Sequence, residues 1–517
     1  MHKSWSENKT FWIAFILTVL FVLWGIFGIQ SLRAAADASF AFITQQLGWS
    51  FMLGASIFVL VALYIMLSEV GDIKLGRPDE EPKYTRFEWF SMLFSAGMGI
   101  GLVFWSVSEP IWHYIWPPTG AAASAAAETQ QAAVNAMRLS FFHWGIHPWS
   151  IYIIVGGSLA YFSYHKDLPM LLSSTLEPII GEENLDRGWG MVINIIGVYA
   201  TLFGLATSLG LGAMSIAAGL SHLGIVSGAT TAVQVGIVVV VTTGAVISTI
   251  TGIDKGIRWL SKINVWIMSA LVVLVIILGP TLFIINIFTN SIGQYLQHIV
   301  EMSFMSDAIM ENAWLPSWTF FYWAWWIAWA PFVGTFIARV SRGRTIREFV
   351  IGAMFVPVLV SLIWFAVFGG TGLHIALGGG TDLIEAVEQS EAAGFYASLT
   401  HLPLSNLLIL LGTISVTIFF ITSSDSATYV NGMLTSHGDP NPPQNLRVLW
   451  GVGEGAIAAI LIFTGGLSAL QTASVVSGWP FMIVMFFMVY CLLKDLHEEK
   501  KKKEKGIGKY AEAEEPA

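Results

Sequence analysis

The amino-acid sequence predicts an all-α integral membrane protein with twelve transmembrane helices. Three observations carry this prediction. The 517 residues are 55% hydrophobic and only 11% charged, with a mean hydropathy of +0.68, whereas an ordinary soluble chain carries about 25% charged residues. Apolar runs long enough to span a bilayer recur along the whole chain. The basic residues then sort onto one side of the resulting topology.

The predicted spans are joined by short polar loops. They lie near residues 11–30, 49–69, 88–109, 137–162, 190–221, 228–250, 264–287, 317–338, 348–370, 404–430, 448–466 and 471–493. The stretch 288–316 is too polar to span, so we predict an amphipathic helix at the membrane interface. A charged tail, 494–517, follows the last span.

The distribution of Lys and Arg tests the count of twelve. An even number of spans places both termini on the same side of the membrane. We predict that this membrane is the plasma membrane and that the side is the cytoplasm. Among the basic residues, only Arg33 and Arg138 then fall outside or at the outer edge. One missed span would reverse every later loop and destroy this sorting. The tail contains the sequence KKKEK, which either anchors the topology or senses anionic lipid.

The composition also excludes classes of function. Cys491 is the single cysteine, so no disulfide can form within the chain. No CxxC or HExxH pattern is present, and no nucleophile–base pair is visible. We therefore expect no enzyme, no resident metal or cofactor, and no nucleic-acid partner.

The third span contains the segment Gly97-Met98-Gly99-Ile100-Gly101. A glycine in a helix interior costs about 1 kcal/mol relative to alanine. Three glycines in five residues indicate either an unwound segment lining a cavity or tight packing of helices through small residues. Spacing alone does not choose between the two.

Aromatic residues cluster in the fourth and eighth spans. The fourth contains Trp144, Trp149 and Tyr152 around Pro148, and the eighth contains the run FYWAWWIAWAP, residues 321–331. Interfacial belts of tryptophan do not explain clusters inside spans. A quaternary ammonium group has no N–H to donate, so proteins recognise it by ring faces. The clusters therefore favour a cage for such a cation, with an aromatic packing core as the alternative.

Hydroxyl groups are concentrated in the tenth span. It contains Thr413, Ser415, Thr417, Thr422, Ser423 and Asp425. Hydroxyl and carbonyl oxygens suit a small hard cation, and a carboxylate at this depth should face a cavity, a partner or an ion pathway. The alternative is that these hydroxyls bond their own helix and that Asp425 locks a turn. Thr201 and Ser208 share a face of the fifth span, and we interpret Glu109, at the end of the third, as structural.

These segments resemble those of the betaine/choline/carnitine transporters. The similarity in order and spacing covers nearly the whole chain and lies above all in three runs: GMGIG at 97–101, HWGIHPWSIY at 143–152 and FYWAWWIAWAPFVGTFIARVSRGRTIREF at 321–349. The resemblance implies two leading helices within 1–87 and two inverted five-helix repeats, 88–287 and 317–493. Each repeat would begin with a broken helix, at GMGIG and near Pro331. It also implies a homotrimer and alternating access.

The resemblance further implies site residues. The central cage would consist of Trp144, Trp149, Tyr152 and Trp326, with Trp325, Trp329 and Phe321 lining the inner path and Gly97, Met98, Gly99 and Gly101 beside it. One sodium site would use Ser95, Met98, Phe419, Thr422 and Ser423. A second would use Thr201 and Phe332 together with another threonine. Leu205 occupies that threonine position, so the number of sodium ions is left open.

By this resemblance the chain imports a small zwitterionic solute, with sodium as the coupling ion and membrane lipids as its surroundings. Choline carriers of the family tend to place Asp at the position of Gly101. The neutral residue here favours glycine betaine, then ectoine or proline, over choline. The alternatives are a sodium-independent exchanger or a choline or carnitine transporter of the same family, and, from another class, a channel.

Overall fold

The computed structural model describes residues 5–97, 99–118, 124–251, 254–306 and 313–505, with the backbone alone for 94–97, 251 and 254–258. Within these ranges the structure is helical, apart from one isolated β-bridge between Lys74 and Thr345. The prediction of an all-α fold is confirmed. The helices are α1 Lys9–Phe27, α2 Ile29–Gln46, α3 Gly48–Leu67, α4 Arg86–Gly97, α5 Ile100–Ile115, α6 Gln130–Trp144, α7 Ile146–Ala160, α8 Glu177–Ile180, α9 Gly188–His222, α10 Thr231–Thr251, α11 Asp254–Leu278, α12 Thr281–Ser303, α13 Phe321–Val340, α14 Ile346–Leu377, α15 Thr381–Gln389, α16 Gly394–Thr400, α17 Ser405–Leu434 and α18 Gln444–Glu504.

In the described part of the chain, nine helical stretches are long and apolar enough to cross a membrane. They are α1, α3, α9, α10, α11, α14, α17, α18 and the stretch Pro316–Val340 that contains α13. The predicted spans 88–109 and 137–162 each correspond to two shorter helices. The spans 448–466 and 471–493 share α18, which bends at Gly466 (φ 58°, ψ −133°). A multi-pass membrane protein is indicated, and the count of twelve stays a prediction.

The helices differ in how much of their surface is buried, which distinguishes one central helix from several peripheral helices. In the most apolar window of Pro316–Val340, 94% of the residues are buried, against 22% in α10 and in α11. Large apolar side chains on the peripheral helices are exposed, among them Val240 of α10 and Trp266 of α11. In a bilayer these faces would contact lipid tails. The helix α13 lies inside, packed against α7, α9 and α18.

Two predicted spans are interrupted at glycine. The helix α4 ends at Gly97 and α5 begins at Ile100, so a break is present in the glycine-rich segment. A second break, which the sequence analysis missed, separates α6 from α7 at Gly145. A Cβ atom at Gly145 would lie 2.5 Å from the hydroxyl oxygen of Tyr295, so only glycine fits this close approach. That hydroxyl in turn accepts the N–H of Ile146 at 3.0 Å.

The break expected near Pro331 is wrong. The helix α13 runs without interruption from Phe321 to Val340. Proline removes the backbone donor that would meet the carbonyl oxygen of Ile327 and crowds the preceding turn, yet the helix continues. Buried side chains on both sides of Pro331, among them Trp329 and Phe332, pack around this turn.

Three predicted boundaries also need correction. The seventh span ends at Leu278 rather than at 287, because Pro280 stops the helix. The amphipathic helix α12 therefore starts at Thr281 rather than at 288 and ends at Ser303. The helix α2, Ile29–Gln46, fills the stretch between the first two predicted spans, for which the sequence predicted no element.

Loops that the basic residues assign to one side contact each other. The ion pairs that join them are Arg347 with Asp72 (2.6 Å), Lys166 with Asp495 (2.7 Å) and His437 with Asp186 (2.8 Å). These loops follow the second, fourth, eighth, tenth and twelfth predicted spans. They lie on one face of the molecule, as the sorting of Lys and Arg requires. That this face is cytoplasmic stays a prediction.

Candidate functional site

Two rows of aromatic rings run along α13. Phe321, Trp325 and Trp329 follow at intervals of four residues and stack, with centroids 5.6 and 6.3 Å apart. Tyr322 and Trp326 form a parallel row with centroids 5.9 Å apart. Trp325 also stacks on Trp326 at 4.6 Å. Residues four apart share a helix face, so the aromatic face expected on the eighth span is present.

The break at Gly145 lets both parts of the fourth span face α13. Trp144, the last residue of α6, meets Trp326 edge-on at 4.9 Å. Tyr152 of α7 lies 6.3 Å from Trp326, and Trp149 stands edge-on to Tyr152 at 5.5 Å. The structure thus brings the four predicted cage residues into one cluster. Their rings meet at steep angles of 75–85°.

Glu109 of α5 positions two of these rings. Its buried carboxylate accepts hydrogen bonds from the indole N–H of Trp144 at 2.8 Å and from the hydroxyl of Tyr322 at 2.5 Å. Its other oxygen lies 2.7 Å from Nδ1 of His143 and 3.4 Å from Nε2 of His113. The structural role predicted for Glu109 agrees with these contacts, whereas the sequence analysis assigned no role to Tyr322. The signal for Glu109 was a charge at the end of a predicted span, which needs partners there.

The same network contains an arrangement that a metal ion could use. Ligand atoms of Glu109, His113 and His143 all lie within 4.8 Å of one another. His143, however, directs Nδ1 at Glu109 and has Nε2 3.0 Å from the hydroxyl of Thr319. Since both ring nitrogens have hydrogen-bond partners, we interpret the set as a network that orients the cage.

The buried polar atoms of the cage fall into two groups. The indole N–H groups of Trp144 and Trp326 are satisfied, the second by the carbonyl oxygen of His143 at 3.1 Å. Four other donors are buried without a hydrogen-bond partner among the described residues: the indole N–H groups of Trp149, Trp325 and Trp329 and the hydroxyl of Tyr152. An unsatisfied buried donor costs about 1–3 kcal/mol. A ligand with acceptor oxygens would remove that cost.

Gly101 adjoins the cage. A Cβ atom at this position would lie 2.6 Å from Cη2 of Trp325 and 3.0 Å from Cη2 of Trp144. The two indoles occupy the space that a side chain would need. Any larger residue at 101 would project among the rings of the cage.

The first predicted sodium site lies where the break in the third span meets α17. A Cβ atom at Gly99 would lie 3.3 Å from Cδ1 of Phe419, so the break and Phe419 are neighbours. Phe419 and Thr422 also line a cavity of 270 Å³ between α11, α14 and α17. The Thr422 hydroxyl donates to the carbonyl oxygens of Ile418 and Phe419, at 3.0 and 3.2 Å.

Other members of that predicted site are less well placed. Ser423 is half-buried on α17. Met98 and the side chain of Ser95 lie outside the described residues, and Gly97 is described only as the last backbone position of α4. Asp425 is held by a partner: it accepts hydrogen bonds from Arg447 at 2.9 Å and from Thr249 at 3.1 Å.

The second predicted sodium site stays a prediction. The Thr201 hydroxyl donates to the carbonyl oxygen of Gly197 in its own helix at 2.9 Å. Phe332 lies against Trp329 at 5.6 Å. Leu205 is fully buried and supplies no side-chain oxygen.

Comparison with known proteins identifies the family. The model of the betaine/carnitine/choline family of transporters matches residues 9–501. The chain belongs to this family. The resemblance found in the sequence is therefore confirmed, and the function of the family is transport across membranes.

Members of this family with related sequences include carriers of several compatible solutes. The glycine betaine transporter OpuD of Bacillus subtilis is 44% identical over 497 residues, which cover 96% of this chain and 95% of OpuD. The ectoine/hydroxyectoine transporter of Virgibacillus pantothenticus is 39% identical, over 98% of this chain and 99% of the relative. A glycine betaine/proline/choline transporter of Vibrio parahaemolyticus is 38% identical, over 97% and 92%.

Proposed function

We propose that this chain imports glycine betaine, or a closely related zwitterion such as ectoine or proline, together with sodium across the plasma membrane for osmoprotection. The observation that carries the proposal is the aromatic cage formed by Trp144, Trp149, Tyr152 and Trp326 beside buried donors that lack partners. Ring faces suit the quaternary ammonium group, each contributing up to about 2 kcal/mol when desolvated. The unpaired N–H and O–H groups suit a carboxylate.

Charge balance favours a zwitterion over a cation. Gly101 offers the cage no charge, and Glu109 is engaged by Trp144, Tyr322 and two histidines. An unpaired cation inside the membrane would cost several kcal/mol. A zwitterion carries both charges and compensates its own cation. Glycine betaine should therefore bind more tightly than choline.

Coupling to sodium is supported by the contact between the break at Gly99 and Phe419. Unwound backbone and hydroxyl oxygens together suit a small hard cation. A thousandfold solute gradient costs about 4.2 kcal/mol. One charge that crosses 100 mV supplies about 2.3 kcal/mol. Each tenfold difference in sodium concentration adds about 1.4 kcal/mol. One sodium ion nearly suffices, so Leu205 does not prevent uptake.

The proposed architecture has twelve spans, with both termini in the cytoplasm. Two leading helices precede inverted five-helix repeats at 88–287 and 317–493, and the chain forms a homotrimer that works by alternating access. The continuous α13 means that the two repeats start differently in this conformation.

Uptake of labelled glycine betaine into liposomes containing the purified protein tests the proposal. Uptake should saturate, require sodium, and be inhibited by unlabelled ectoine or proline more strongly than by choline. Full uptake in potassium-only buffer would favour the exchanger, and conductance without saturation would favour the channel. Choline that competes as well as betaine would overturn the charge-balance argument.

Gly101→Asp should shift the preference toward choline, because the new carboxylate would project among Trp144 and Trp325. Gly101→Ala adds the same Cβ atom without the charge and is the matched control. A gain of choline uptake in the alanine variant as well would show that space, rather than charge, sets the preference.

A further inference from the structure

A second carboxyl group is buried within the membrane-spanning region, far along the chain from the cage network. Glu454 lies in the part of α18 that precedes the bend at Gly466, and it is fully buried. Among the described residues it forms no ion pair, although ion pairs hold other carboxylates of this chain. A buried charge without a counter-charge is strongly disfavoured.

The partner of Glu454 is an amide on α17. The Asn431 side chain donates from Nδ2 to Oε1 of Glu454 at 3.0 Å. The remaining oxygen of each group, Oε2 of Glu454 and Oδ1 of Asn431, is buried without a hydrogen-bond partner among the described residues. The two oxygens without a partner thus belong to two side chains that already share one hydrogen bond.

The chemistry of these two leftover atoms depends on one proton. Oδ1 of an amide can only accept, and both oxygens of a carboxylate can only accept. A carboxylic acid has an O–H that can donate to Oδ1. The protonated side chain and the amide would then close a ring of two hydrogen bonds and leave neither oxygen unsatisfied.

The charged groups nearest to Glu454 along α17 and α18 pair with each other. Asp425 of α17 pairs with Arg447, two turns before Glu454 on α18, so this guanidinium is already engaged by another carboxylate. Tyr429 of α17 lies under the guanidinium of Arg447, with the centroid 5.8 Å away. The two glycines that flank Glu454 lie beside neutral groups, Gly453 beside Thr18 of α1 and Gly455 beside Thr242 of α10.

We propose that Glu454 is a proton-binding site whose neutral carboxylic acid clasps Asn431 and so joins α17 to α18. One turn before Glu454 on α18, the Trp450 indole donates to the hydroxyl of Thr435, the residue that follows α17, at 2.9 Å. The helix α17 also carries Phe419 and Thr422. Loss of the proton at alkaline pH removes the donor to Oδ1 of Asn431 and places a charge between the two helices, which weakens this junction and lowers the rate of transport.

Infrared spectroscopy of the purified protein tests protonation directly, without a transport assay. At neutral pH the wild type minus Glu454→Gln difference spectrum should contain the C=O band of a protonated carboxyl, and this band should shift in D₂O. Glu348→Gln, which removes a carboxylate at a helix N-terminus, should produce no such band. A carboxylate band in the Glu454 difference spectrum would overturn the proposal.

The pH profile of uptake tests the clasp. Glutamine keeps the shape and the donor of the protonated acid, so Glu454→Gln should transport at the wild-type rate at neutral pH and keep that rate at alkaline pH where the wild type falls. An unchanged alkaline fall in this variant would overturn the proposed role in transport. If Glu454→Gln fails to fold, Asn431→Leu provides the test: the protonated-carboxyl band should persist at the frequency of an unbonded acid. Its conversion to a carboxylate band would overturn the proposal.

Discussion

The third and eighth predicted spans should be equivalent starts of two repeats, yet they differ in this structure. The third is broken between Gly97 and Ile100, whereas the eighth continues through Pro331. Proline is the stronger helix breaker of the two residue types. The comparison teaches that packing can override residue type. Buried rings on both sides of Pro331 pack around α13, whereas three of the five residues at 97–101 are glycines, which have no side chain to pack.

The difference matches two tasks. The unbroken α13 presents a rigid double row of rings, which suits recognition of an ammonium group. The break brings the buried backbone of Gly99 close to Phe419, which suits a small cation. Gly101 connects the two, because it follows the break and touches Trp144 and Trp325. Four predictions sharpen or break this comparison, from the largest effect to the smallest.

Loss of a cage ring should have the largest effect. Trp326→Leu and Trp149→Leu should each abolish saturable uptake while the protein still folds, since a desolvated ring face contributes up to about 2 kcal/mol, and Trp326 contacts four other rings of the site. Initial rates of labelled betaine uptake over a concentration series measure this. Trp266→Leu, an exposed indole on α11, is the control, and wild-type affinity in the cage variants would contradict the cage.

Glu109→Gln should raise KM roughly tenfold or more. The substitution removes charge-assisted hydrogen bonds of about 1.5–3 kcal/mol each, and 1.4 kcal/mol corresponds to a factor of ten. The glutamine amide has one acceptor oxygen, so it cannot accept from Trp144 and Tyr322 on one side and from His143 on the other as the carboxylate does. Uptake kinetics alongside tryptophan fluorescence should both change. An altered melting temperature with unchanged KM would reduce Glu109 to a structural residue.

Substitutions at the first predicted sodium site should have a smaller effect on uptake. Thr422→Ala with Ser423→Ala should raise the sodium concentration needed for half-maximal uptake several-fold, because hydroxyl oxygens suited to a hard cation are lost. Thr417→Ala is the matched control, since its hydroxyl also bonds its own helix, to Thr413 at 2.8 Å. An equal shift in both variants would attribute the effect to the helix rather than to a site.

Pro331→Ala should have the smallest effect on transport. The helix already continues through this residue, and proline costs about 3 kcal/mol more than alanine in a helix interior, so the melting temperature should rise. Uptake and thermal unfolding of the variant measure both. A loss of transport with a stabilised fold would mean that α13 opens at Pro331 in another step of the cycle.

Local sequence signals predicted much of the candidate site. The rows on α13 follow from residue spacing alone, because a continuous helix places every fourth residue on one face. The same logic does not account for Trp144 and Trp149, which meet the same cluster although Gly145 breaks the helix between them. Tyr295, 150 residues along the chain, contacts that break, and no local pattern announces such a contact.

The sequence by itself determined the all-helical membrane fold, the side on which the loops meet and the residue types of the cage. Hydrophobic length, charge sorting and helical spacing are local properties, and a bilayer enforces them strongly. Only the tertiary structure decided where the helices break. It also decided that Glu109 is the acid that orients the rings and that Glu454 is the acid that meets Asn431. A buried carboxyl takes its role from the groups around it. Glu109 meets four donors, and Glu454 meets one amide, because the packing of distant helices sets their partners.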